Sequence, residues 1–353
     1  MSSSTFLLYG ANGYTGTLIA KMASSHNLHP ILGGRNENAL KPLADSLKYQ
    51  FKIADINDSA SLDKILQDVP LVLHAAGPFK HTAKQMIESC IRTQTHYIDI
   101  TGEILVYELA KKYDDDAKKA GIMLMPGVGF DVVPTDCMAL FLKEKMPDAQ
   151  ELKLAFASIG GGLSKGTATT MAENAGGKSA ERKDGKIIPV PLGHKGIWVD
   201  FGLKKLFVIS IPWGDVSTAF TTTSIPNIVT YTGASPKTFK MLKFQNLFNW
   251  LLRTSFMKKK ALQKIKNRPA GPTDEQRAAS KSLVWGEVKN NNGKKIEARI
   301  IGPEGYTLTA ITSLLIAKKI LEGNFKIGYQ TPAGCYGADL IMEVPDVTRE
   351  LIP

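Results

Sequence analysis

Three glycines near the start of the chain have the spacing of a phosphate-binding turn. Gly10, Gly13 and Gly16 follow the apolar run TFLLY and open the helix-like pattern TGTLIAKMA. In a strand–turn–helix unit, the first glycine permits a tight turn, the second lets the backbone approach a pyrophosphate, and the third packs the helix against the strand. The amino end of such a helix offers unpaired N–H groups and a positive dipole end to the phosphates. The spacing therefore predicts a dinucleotide site, with an ordinary strand-to-helix turn as the alternative.

The predicted contacts extend from this turn to the ends of the next three apolar runs. In the turn they are Gly10, Asn12, Gly13, Tyr14, Thr15 and Gly16. Arg35 ends the second run, about 20 residues further on, where an acidic residue would bind the ribose 2′-hydroxyl of NAD. Because an arginine suits a 2′-phosphate instead, the sequence favours NADP over NAD. The alternative for Arg35 is a solvated residue at a strand end.

Asp55 and a group of small residues complete the predicted cofactor site. Asp55 ends the third run, where its carboxylate can accept a hydrogen bond from an adenine amino group or can cap the helix that follows. The fourth run ends in Ala75, Ala76 and Gly77. These residues are small enough for a ribose to lie over the strand end, in the crevice outside the carboxyl edge of a parallel sheet.

The elements that position these residues alternate in type along the chain. Short apolar runs alternate with amphipathic stretches from TFLLYG to IMLMPGV. This alternation predicts βαβ units, and hence an α/β Rossmann-type doubly wound parallel sheet in a dinucleotide-binding domain over residues 1–132. Residues 133–325 are rich in strand-like runs without a helix after each, which predicts a second, α+β domain. The prediction returns residues 326–353 to the first domain.

Five motifs in order carry a family resemblance: YGANGYTG, GGR, AAGPF, THYIDITGE and GVGFDVVPTD. The chain resembles the saccharopine dehydrogenase-like oxidoreductases, which include the trans-acting enoyl reductases. The resemblance implies a Rossmann domain that binds NADP, and a second domain with a mixed sheet that closes the substrate site and mediates dimers. Ala76 and the pair Lys165-Gly166 depart from residues usual in the family, so the resemblance does not carry over a substrate.

Hydride transfer to an imine, a carbonyl or an activated C=C bond is the predicted reaction, on a small-molecule substrate that is unidentified and can be lipid-linked. Such a reaction also needs a group that supplies or removes a proton. Asp131 in GVGFDVVPTD is the predicted catalytic residue, and a turn or helix cap is the alternative. Tyr97, Asp99 and Glu103 are the next candidates, and Tyr97 and Asp99 point to one face of their strand, so they can act together. The alternative is that these residues hold the sheet to its loop. The alternative to an enzyme is a non-catalytic protein that senses NADP.

One catalytic pattern is rejected at this stage. Tyr107 and Lys111 satisfy the Y-x-x-x-K spacing by which short-chain dehydrogenases lower the pKa of a tyrosine. In that family the pair comes much later in the chain, with a serine about a dozen residues before it. Tyr107 and Lys111 are therefore predicted to be surface residues of a helix.

The positive charge is concentrated in one segment. The formal net charge is +11, yet residues 237–272 alone hold ten Lys or Arg and no Asp or Glu. The rest is nearly neutral, so no nucleic-acid partner is predicted. Residues 237–268 form a basic amphipathic segment whose apolar face comprises Phe244, Leu247, Phe248, Leu251 and Leu252. We expect either contact with a membrane surface or acyl substrate, or packing on the protein itself.

Cysteine content and hydropathy bear on the compartment. Cys90, Cys137 and Cys335 are too few and too scattered for a disulfide framework, and no metal site is predicted from them or from the histidines. The first residues lack the pattern of a signal peptide, and no stretch has the length of a membrane span. The prediction is a cytoplasmic protein that contacts a membrane, if at all, from its surface.

Overall fold

The computed structural model describes residues 4–245, 249–252 and 254–352. Leu247 and Phe248, assigned above to the apolar face of the basic segment, and Arg253 lie outside the described residues. The described chain divides into two compact units. One consists of Met1–Asp131 with Tyr306–Cys335, and the other of Val132–Gly305 with Tyr336–Pro353.

The first 131 residues alternate strands and helices. The elements are β1 (Thr5–Tyr9), α1 (Tyr14–Ala23), β2 (His29–Gly34), α2 (Glu37–Leu47), β3 (Phe51–Ile53), α3 (Ser59–Leu66), β4 (Leu71–His74), α4 (Ala83–Thr93), β5 (His96–Asp99), α5 (Ile104–Lys112), α6 (Asp114–Ala120) and β6 (Met123–Met125). Short 3₁₀ turns at Ser24–His26 and Phe79–His81 interrupt the connections. Polar side chains begin two of the helices, since Asn36 caps α2 and Asp58 caps α3 through hydrogen bonds to backbone N–H groups.

The middle of the chain is richer in strands. Its elements are α7 (Val133–Lys145), β7 (Glu151–Ile159), α8 (Lys165–Glu173), β8 (Ser179–Lys183), β9 (Lys186–Val190), β10 (Gly196–Asp200), β11 (Lys205–Ser210), α9 (Asp215–Thr223), β12 (Asn227–Gly233), α10 (Pro236–Gln245), α11 (Asn249–Leu252), α12 (Ser255–Lys266), α13 (Asp274–Ala278), β13 (Lys281–Lys289) and β14 (Lys295–Pro303). Ser164 caps α8 by accepting from the backbone N–H of Thr167.

The last elements divide between the two units. They are α14 (Gly305–Leu321), β15 (Gly328–Tyr329), α15 (Pro332–Tyr336), a 3₁₀ turn at Leu340–Glu343 and β16 (Thr348–Ile352). In the described chain no helix has both the length and the apolar character needed to cross a membrane.

A parallel sheet forms the centre of the first unit. Its strand order is β15-β6-β5-β4-β1-β2-β3, and every pairing is parallel. The strand order reverses direction at β1, whose neighbours are β2 and β4. Parallel strands covered by helices read as continuous apolar runs, and β1 and β4 are buried almost throughout. This sheet confirms the predicted Rossmann-type fold.

The sheet of the second unit is mixed. Its order is β10-β11-β12-β7-β13-β14-β16, with the β8–β9 hairpin attached to β12. The pair β12–β7 is parallel, whereas β13 is antiparallel to both β7 and β14. Helix α7 packs on β13, where Gly286 leaves room for Met138 and Leu142. The second, α+β domain with a mixed sheet is therefore confirmed as a fold.

The carboxyl-terminal boundaries differ from those predicted. Residues 326–353 were assigned to the first domain, but β16 pairs antiparallel with β14 in the second sheet, and only β15 joins the first. Conversely, α14 falls inside the predicted range 133–325 but belongs, from Tyr306 on, to the first unit. Strand pairing decides the first case, and a lone strand carries no local signal that identifies its partner. Contacts of α14 with Phe130 and Val128 decide the second.

Candidate functional site

The turn after β1 is held against the end of β4 by Gly10. Gly10 has φ of +88°, which a residue with a side chain rarely adopts, and its N–H donates to the carbonyl of Gly33 at 2.8 Å. A Cβ on Gly10 would lie 2.7 Å from the backbone N of Ala76 and 2.8 Å from the carbonyl carbon of Ala75. The glycine is therefore required by close packing between the ends of β1 and β4, at the point where the strand order reverses.

Gly16 and Gly13 have different surroundings in the same turn. A Cβ on Gly16 would overlap the carbonyl oxygen of Gly10 and lie 2.9 Å from Cα of Ala11. Gly13 is the amino cap of α1 and is exposed, and a Cβ there would be 3.3 Å from the Gly10 carbonyl oxygen, its one neighbour. Asn12 is likewise exposed, whereas Tyr14 and Thr15 are half-buried. Gly16 thus serves packing, while Gly13 leaves the amino end of α1 open to a ligand.

Tyr9, a residue not predicted from the sequence, joins Arg35 and Asp55 at the ends of β1, β2 and β3. Its hydroxyl donates to the carbonyl of Ala54 at 3.0 Å. Burial raises the pKa of Tyr9 to about 12; the negative charge of Asp55 adds to the rise, and the positive charge of Arg35 opposes it. Arg35 and Asp55 are both exposed near the same hydroxyl. This edge of the sheet therefore presents one cation and one anion to solvent.

Asp55 is partly engaged by its own turn. Its Oδ1 accepts hydrogen bonds from the backbone N of Asn57 at 2.9 Å and from Nδ2 of Asn57 at 3.1 Å. Asp58, three residues later, accepts from the N–H of Ser61 and caps α3. The capping role considered above for Asp55 therefore belongs to Asp58.

His74 and Thr82 fix the segment after β4 through hydrogen bonds. Ala75 and Ala76 are half-buried, Gly77 is exposed, and the Gly77–Pro78 peptide bond is cis. The Thr82 hydroxyl donates to the Ala76 carbonyl at 2.9 Å, so Nε2 of His74, 2.9 Å from that hydroxyl, is the donor in their contact. Burial lowers the pKa of His74 to about 3. A neutral histidine thus supports the segment of small residues where a ribose is predicted to lie.

Asp99 ties the end of β5 to the loops on either side. The Tyr97 hydroxyl donates to Oδ2 of Asp99 at 2.5 Å, as expected for two residues on one face of a strand. Oδ1 accepts from the backbone N–H groups of Thr101 and Gly127, each at 2.9 Å. Burial raises the pKa of Asp99 to about 7, although these three hydrogen bonds favour the ionised form. The pair is buried and holds the loops in place.

The prediction that Tyr107 lies on the surface is wrong. Tyr107 is fully buried, and its hydroxyl donates to the carbonyl of Thr101. The reason is that α5 buries the face that carries Val106, Tyr107 and Ala110, and Val106 and Ala110 belong to the apolar core that also contains residues of β4, β5 and β6. Lys111 is a quarter exposed, pairs with Glu108 at 3.1 Å, and lies over the ring of Tyr329. Neither side chain has the exposure that acid catalysis on a substrate requires.

Asp131 and Glu103 bring two carboxyl groups to the ends of β4, β5 and β6. Glu103 accepts from the backbone N–H groups of Phe79 at 2.9 Å and Lys80 at 3.2 Å. A Cβ on Gly102 would lie 2.7 Å from Oδ2 of Asp131, so the Asp131 carboxyl lies directly against the chain next to Glu103. Burial raises the pKa of Asp131 to about 7, and the charge of Glu103 adds to the rise. A carboxyl with such a pKa can hold or release a proton near neutrality.

Helix α14 adds residues to this region that motif reading missed. The ring of Tyr306 meets that of Tyr14 edge-on, with centroids 5.1 Å apart, at the amino end of α1. The N–H of Phe130 donates to the Thr309 hydroxyl at 3.0 Å, and the Thr312 hydroxyl donates to the Val128 carbonyl at 2.8 Å. About 290 residues separate the two tyrosines, so no local pattern pairs them, and a tyrosine at the start of an apolar helix was the available signal.

Comparison with known proteins agrees with the motifs. Residues 6–125 match the family model for the saccharopine dehydrogenase NADP binding domain. A saccharopine dehydrogenase-like oxidoreductase of Bos taurus is 27% identical over 244 residues, covering 60% of this chain and 57% of that protein. A trans-acting enoyl reductase of Mycobacterium ulcerans is 26% identical over 138 residues, covering 37% of this chain and 33% of that protein. The alignments thus span less than two thirds of these relatives.

A solved structure shares the fold over almost the whole chain. Saccharopine dehydrogenase (L-Glu forming) of Saccharomyces cerevisiae superposes with a TM-score of 0.67, at 12% sequence identity, and the match covers 99% of this chain and 100% of that one. The chain therefore shares the fold of a known structure over almost its whole length.

Proposed function

We propose that the chain is an oxidoreductase of the saccharopine dehydrogenase-like family and that it transfers hydride from NADPH to an imine, a carbonyl or an activated C=C bond. One observation carries the proposal: Gly10 packs against Ala75 and Ala76 where the strand order reverses, beside the exposed amino end of α1. Parallel α/β sheets bind their ligands in the crevice at this reversal. Gly10 holds the turn against the end of β4, and the exposed Gly13 leaves the amino end of α1 open, so the residues present fit a dinucleotide.

Several side chains would hold and orient the coenzyme. The N–H groups at the amino end of α1 bind the pyrophosphate, and Gly13 keeps their approach open. Arg35 neutralises the 2′-phosphate, which is the reason to propose NADP rather than NAD. Asp55 accepts from the adenine, and residues 75–77 leave room for the second ribose.

The proton is assigned to Asp131. When bound, the reduced nicotinamide supplies the hydride that the chemistry requires. Asp131, with its pKa raised to about 7, gives its proton to the nitrogen, oxygen or carbon at the other end of the reduced double bond and is left as the carboxylate. Burial keeps that pKa high, and the negative charge of Glu103 adds to the rise. Glu103 also fixes the loop after β4 through the backbone N–H groups of Phe79 and Lys80.

The test of coenzyme choice is a calorimetric titration of wild-type protein and Arg35→Ala with NADPH and NADH. Loss of a charge-assisted contact to phosphate should weaken NADPH binding by about 10- to 100-fold and leave NADH binding unchanged. Lys41→Ala, an exposed lysine on α2, is the matched control and should behave as wild type. Equal weakening of both coenzymes would contradict the assignment to Arg35, and no uptake of either coenzyme would overturn the proposal.

The second candidate function is a non-catalytic NADP sensor, and an assay of turnover distinguishes it from an enzyme. NADPH oxidation is followed over a panel of imines, carbonyl compounds and enoyl thioesters. Oxidation that depends on one substrate class supports the enzyme. Tight NADPH binding with no oxidation over the panel favours the sensor.

The compartment and the assembly are also proposals. The free cysteines Cys90 and Cys137 are buried, which is consistent with a reducing environment, and we propose the cytoplasm. A homodimer is expected from the family resemblance, and a measurement of the molecular mass in solution tests it.

A further inference from the structure

We propose that helices α10, α11 and α12 form a docking surface for an anionic lipid bilayer, which we call the basic helical surface. This proposal does not rest on the proposed coenzyme site. Residues 237–272 carry ten Lys or Arg and no Asp or Glu. Among the described residues of α10 to α12, none of the lysines takes part in an ion pair. The positive charge of this surface is therefore not neutralised by the unit that carries it.

Helix α10 is anchored by one face and exposes the other. Phe239 packs on Phe207 of β11 with ring centroids 5.4 Å apart, and Leu242 is buried close to Gly193. Lys237, Lys240, Met241 and Phe244, three or four residues apart, are exposed. The outer face of α10 thus combines lysines with two large apolar side chains.

Helix α12 repeats this arrangement. It packs against α8, and its inner face of Met257, Ala261, Leu262 and Ile265 is half-buried. Phe256 is 73% exposed on the opposite face, where Lys259 and Lys260 follow one turn later. An exposed phenylalanine on the cationic face is the reverse of what packing on the protein itself would produce.

Exposed aromatic side chains are concentrated at this surface. In the described chain, the Phe and Trp residues that are exposed are Trp198, Phe244, Trp250 and Phe256. Three of them belong to the basic helical surface. Trp198 adjoins it, because its ring contacts Phe207 at 5.5 Å, and Phe207 contacts Phe239 of α10. Exposed apolar side chains concentrated in one basic segment indicate an interaction site.

Charge and apolarity together favour a lipid surface over other partners. Lysine heads attract anionic headgroups, while Phe, Trp and Met side chains enter the boundary between headgroups and acyl chains. A nucleic acid would account for the lysines, and its bases could stack on Phe244, but it would leave Met241 without a function. A bilayer uses both sets of side chains.

The experiment is co-sedimentation of the full-length protein, without coenzyme, with vesicles. Phosphatidylcholine vesicles are compared with vesicles that also contain phosphatidylglycerol, from about 0.01 to 1 M ionic strength, over which the Debye length falls from roughly 30 to 3 Å. We expect binding to the anionic vesicles at low ionic strength and release as salt is added. No binding at low ionic strength would overturn the proposal and leave the coenzyme proposal untouched.

Two variants and a matched control assign the binding to this surface. Lys259→Glu/Lys260→Glu should weaken binding by about 25-fold or more, since each cation near an anionic surface contributes roughly fivefold. Trp250→Ser/Phe256→Ser should weaken it by about tenfold. Lys41→Glu/Lys112→Glu reverses two exposed lysines of the first unit and should bind as wild type.

Other outcomes count against the surface. If the control and Lys259→Glu/Lys260→Glu lose vesicle binding equally, the attraction depends on net charge alone. If Trp250→Ser/Phe256→Ser binds vesicles as wild type does, these aromatic side chains do not insert into the bilayer. A single-stranded oligonucleotide is added as competitor; release of the protein from vesicles at stoichiometric oligonucleotide would favour a nucleic-acid site instead. Circular dichroism checks that each variant is folded. If a variant does not fold, the single substitution Phe256→Ser is tested in its place, together with the salt dependence of wild-type binding.

Discussion

Asp99 is a buried carboxyl whose protonation should set part of the pH dependence of stability. Its pKa is raised by burial to about 7, so between about pH 4 and 7 the folded chain holds a proton that the unfolded chain has released. The free energy of unfolding therefore falls as pH rises through that range, by an amount on the order of 2–4 kcal/mol. Urea unfolding at pH 5 and pH 8 measures the fall.

Two substitutions of Asp99 separate the proton from the hydrogen bonds. In Asp99→Asn, Oδ1 still accepts from Thr101 and Gly127, and Nδ2 can donate to the Tyr97 oxygen, so stability at pH 5 should change by about 1 kcal/mol or less and the slope with pH should flatten. Asp99→Ala leaves the N–H groups of Thr101 and Gly127 without this acceptor and should cost about 2–4 kcal/mol at both pH values. An unchanged slope in Asp99→Asn would show that Asp99 is not the titrating group.

Asp131 should control the rate rather than coenzyme binding. With a substrate from the panel, Asp131→Asn is expected to lower kcat by about 10²- to 10⁴-fold, because a proton donor contributes in that range. In wild type, reduction should slow as pH rises through about 7, where Asp131 ionises. The pH–rate profile of both proteins is the measurement, with the NADPH Kd as internal control. A profile that keeps its shape in Asp131→Asn would remove this residue from proton transfer.

At the scale of one element, the turn between β1 and α1 offers a matched pair of glycine substitutions. Gly16→Ala forces a Cβ onto Gly10 and Ala11, and should lower the free energy of unfolding by roughly 2–4 kcal/mol. Gly13→Ala has φ of −74° and one neighbour at 3.3 Å, so the cost should be about 1 kcal/mol, as for alanine at a helix amino cap.

The two glycine substitutions should affect coenzyme binding in the opposite order from stability. Gly13→Ala places a methyl group on the exposed approach to the amino end of α1 and is expected to weaken NADPH binding by about tenfold or more, whereas folded Gly16→Ala should lose less. Urea unfolding and calorimetric titration measure the two quantities. If Gly13→Ala binds NADPH as wild type does, the phosphates do not pass over this turn.

For the whole molecule, NADPH should stabilise one unit selectively. Free NADPH at about 100 times its Kd adds about 2.7 kcal/mol to the folded state that binds it, which raises a Tm by a few degrees. Each unit has its own sheet and contains its own cluster of buried apolar residues. Differential scanning calorimetry should therefore show a rise only in the transition that contains the first unit. An equal shift in Arg35→Ala at the same NADPH concentration would argue against the proposed 2′-phosphate contact.

The class of fold, and the glycine turn on which the proposed coenzyme site rests, follow from local features of the amino-acid sequence. The steric need for a residue without Cβ at Gly10 and Gly16, and the continuous apolar runs of β1 and β4, are local properties, so they can be read from neighbouring letters. The alternation of strands and helices likewise fixes a parallel sheet, because a parallel pair needs a crossover between its strands. The family resemblance added a mixed sheet to the second domain.

The pairing of residues that are distant in sequence became visible in the folded chain. The fold set Gly102 against Asp131 and Tyr14 against Tyr306, gave the helix cap to Asp58 rather than Asp55, and paired β16 with β14. Each of these depends on which strands become neighbours and on where two chain segments come into van der Waals contact. Hydrophobic burial drives that choice without leaving a directional signal in either segment, so residues far apart in sequence show their pairing only in the folded chain.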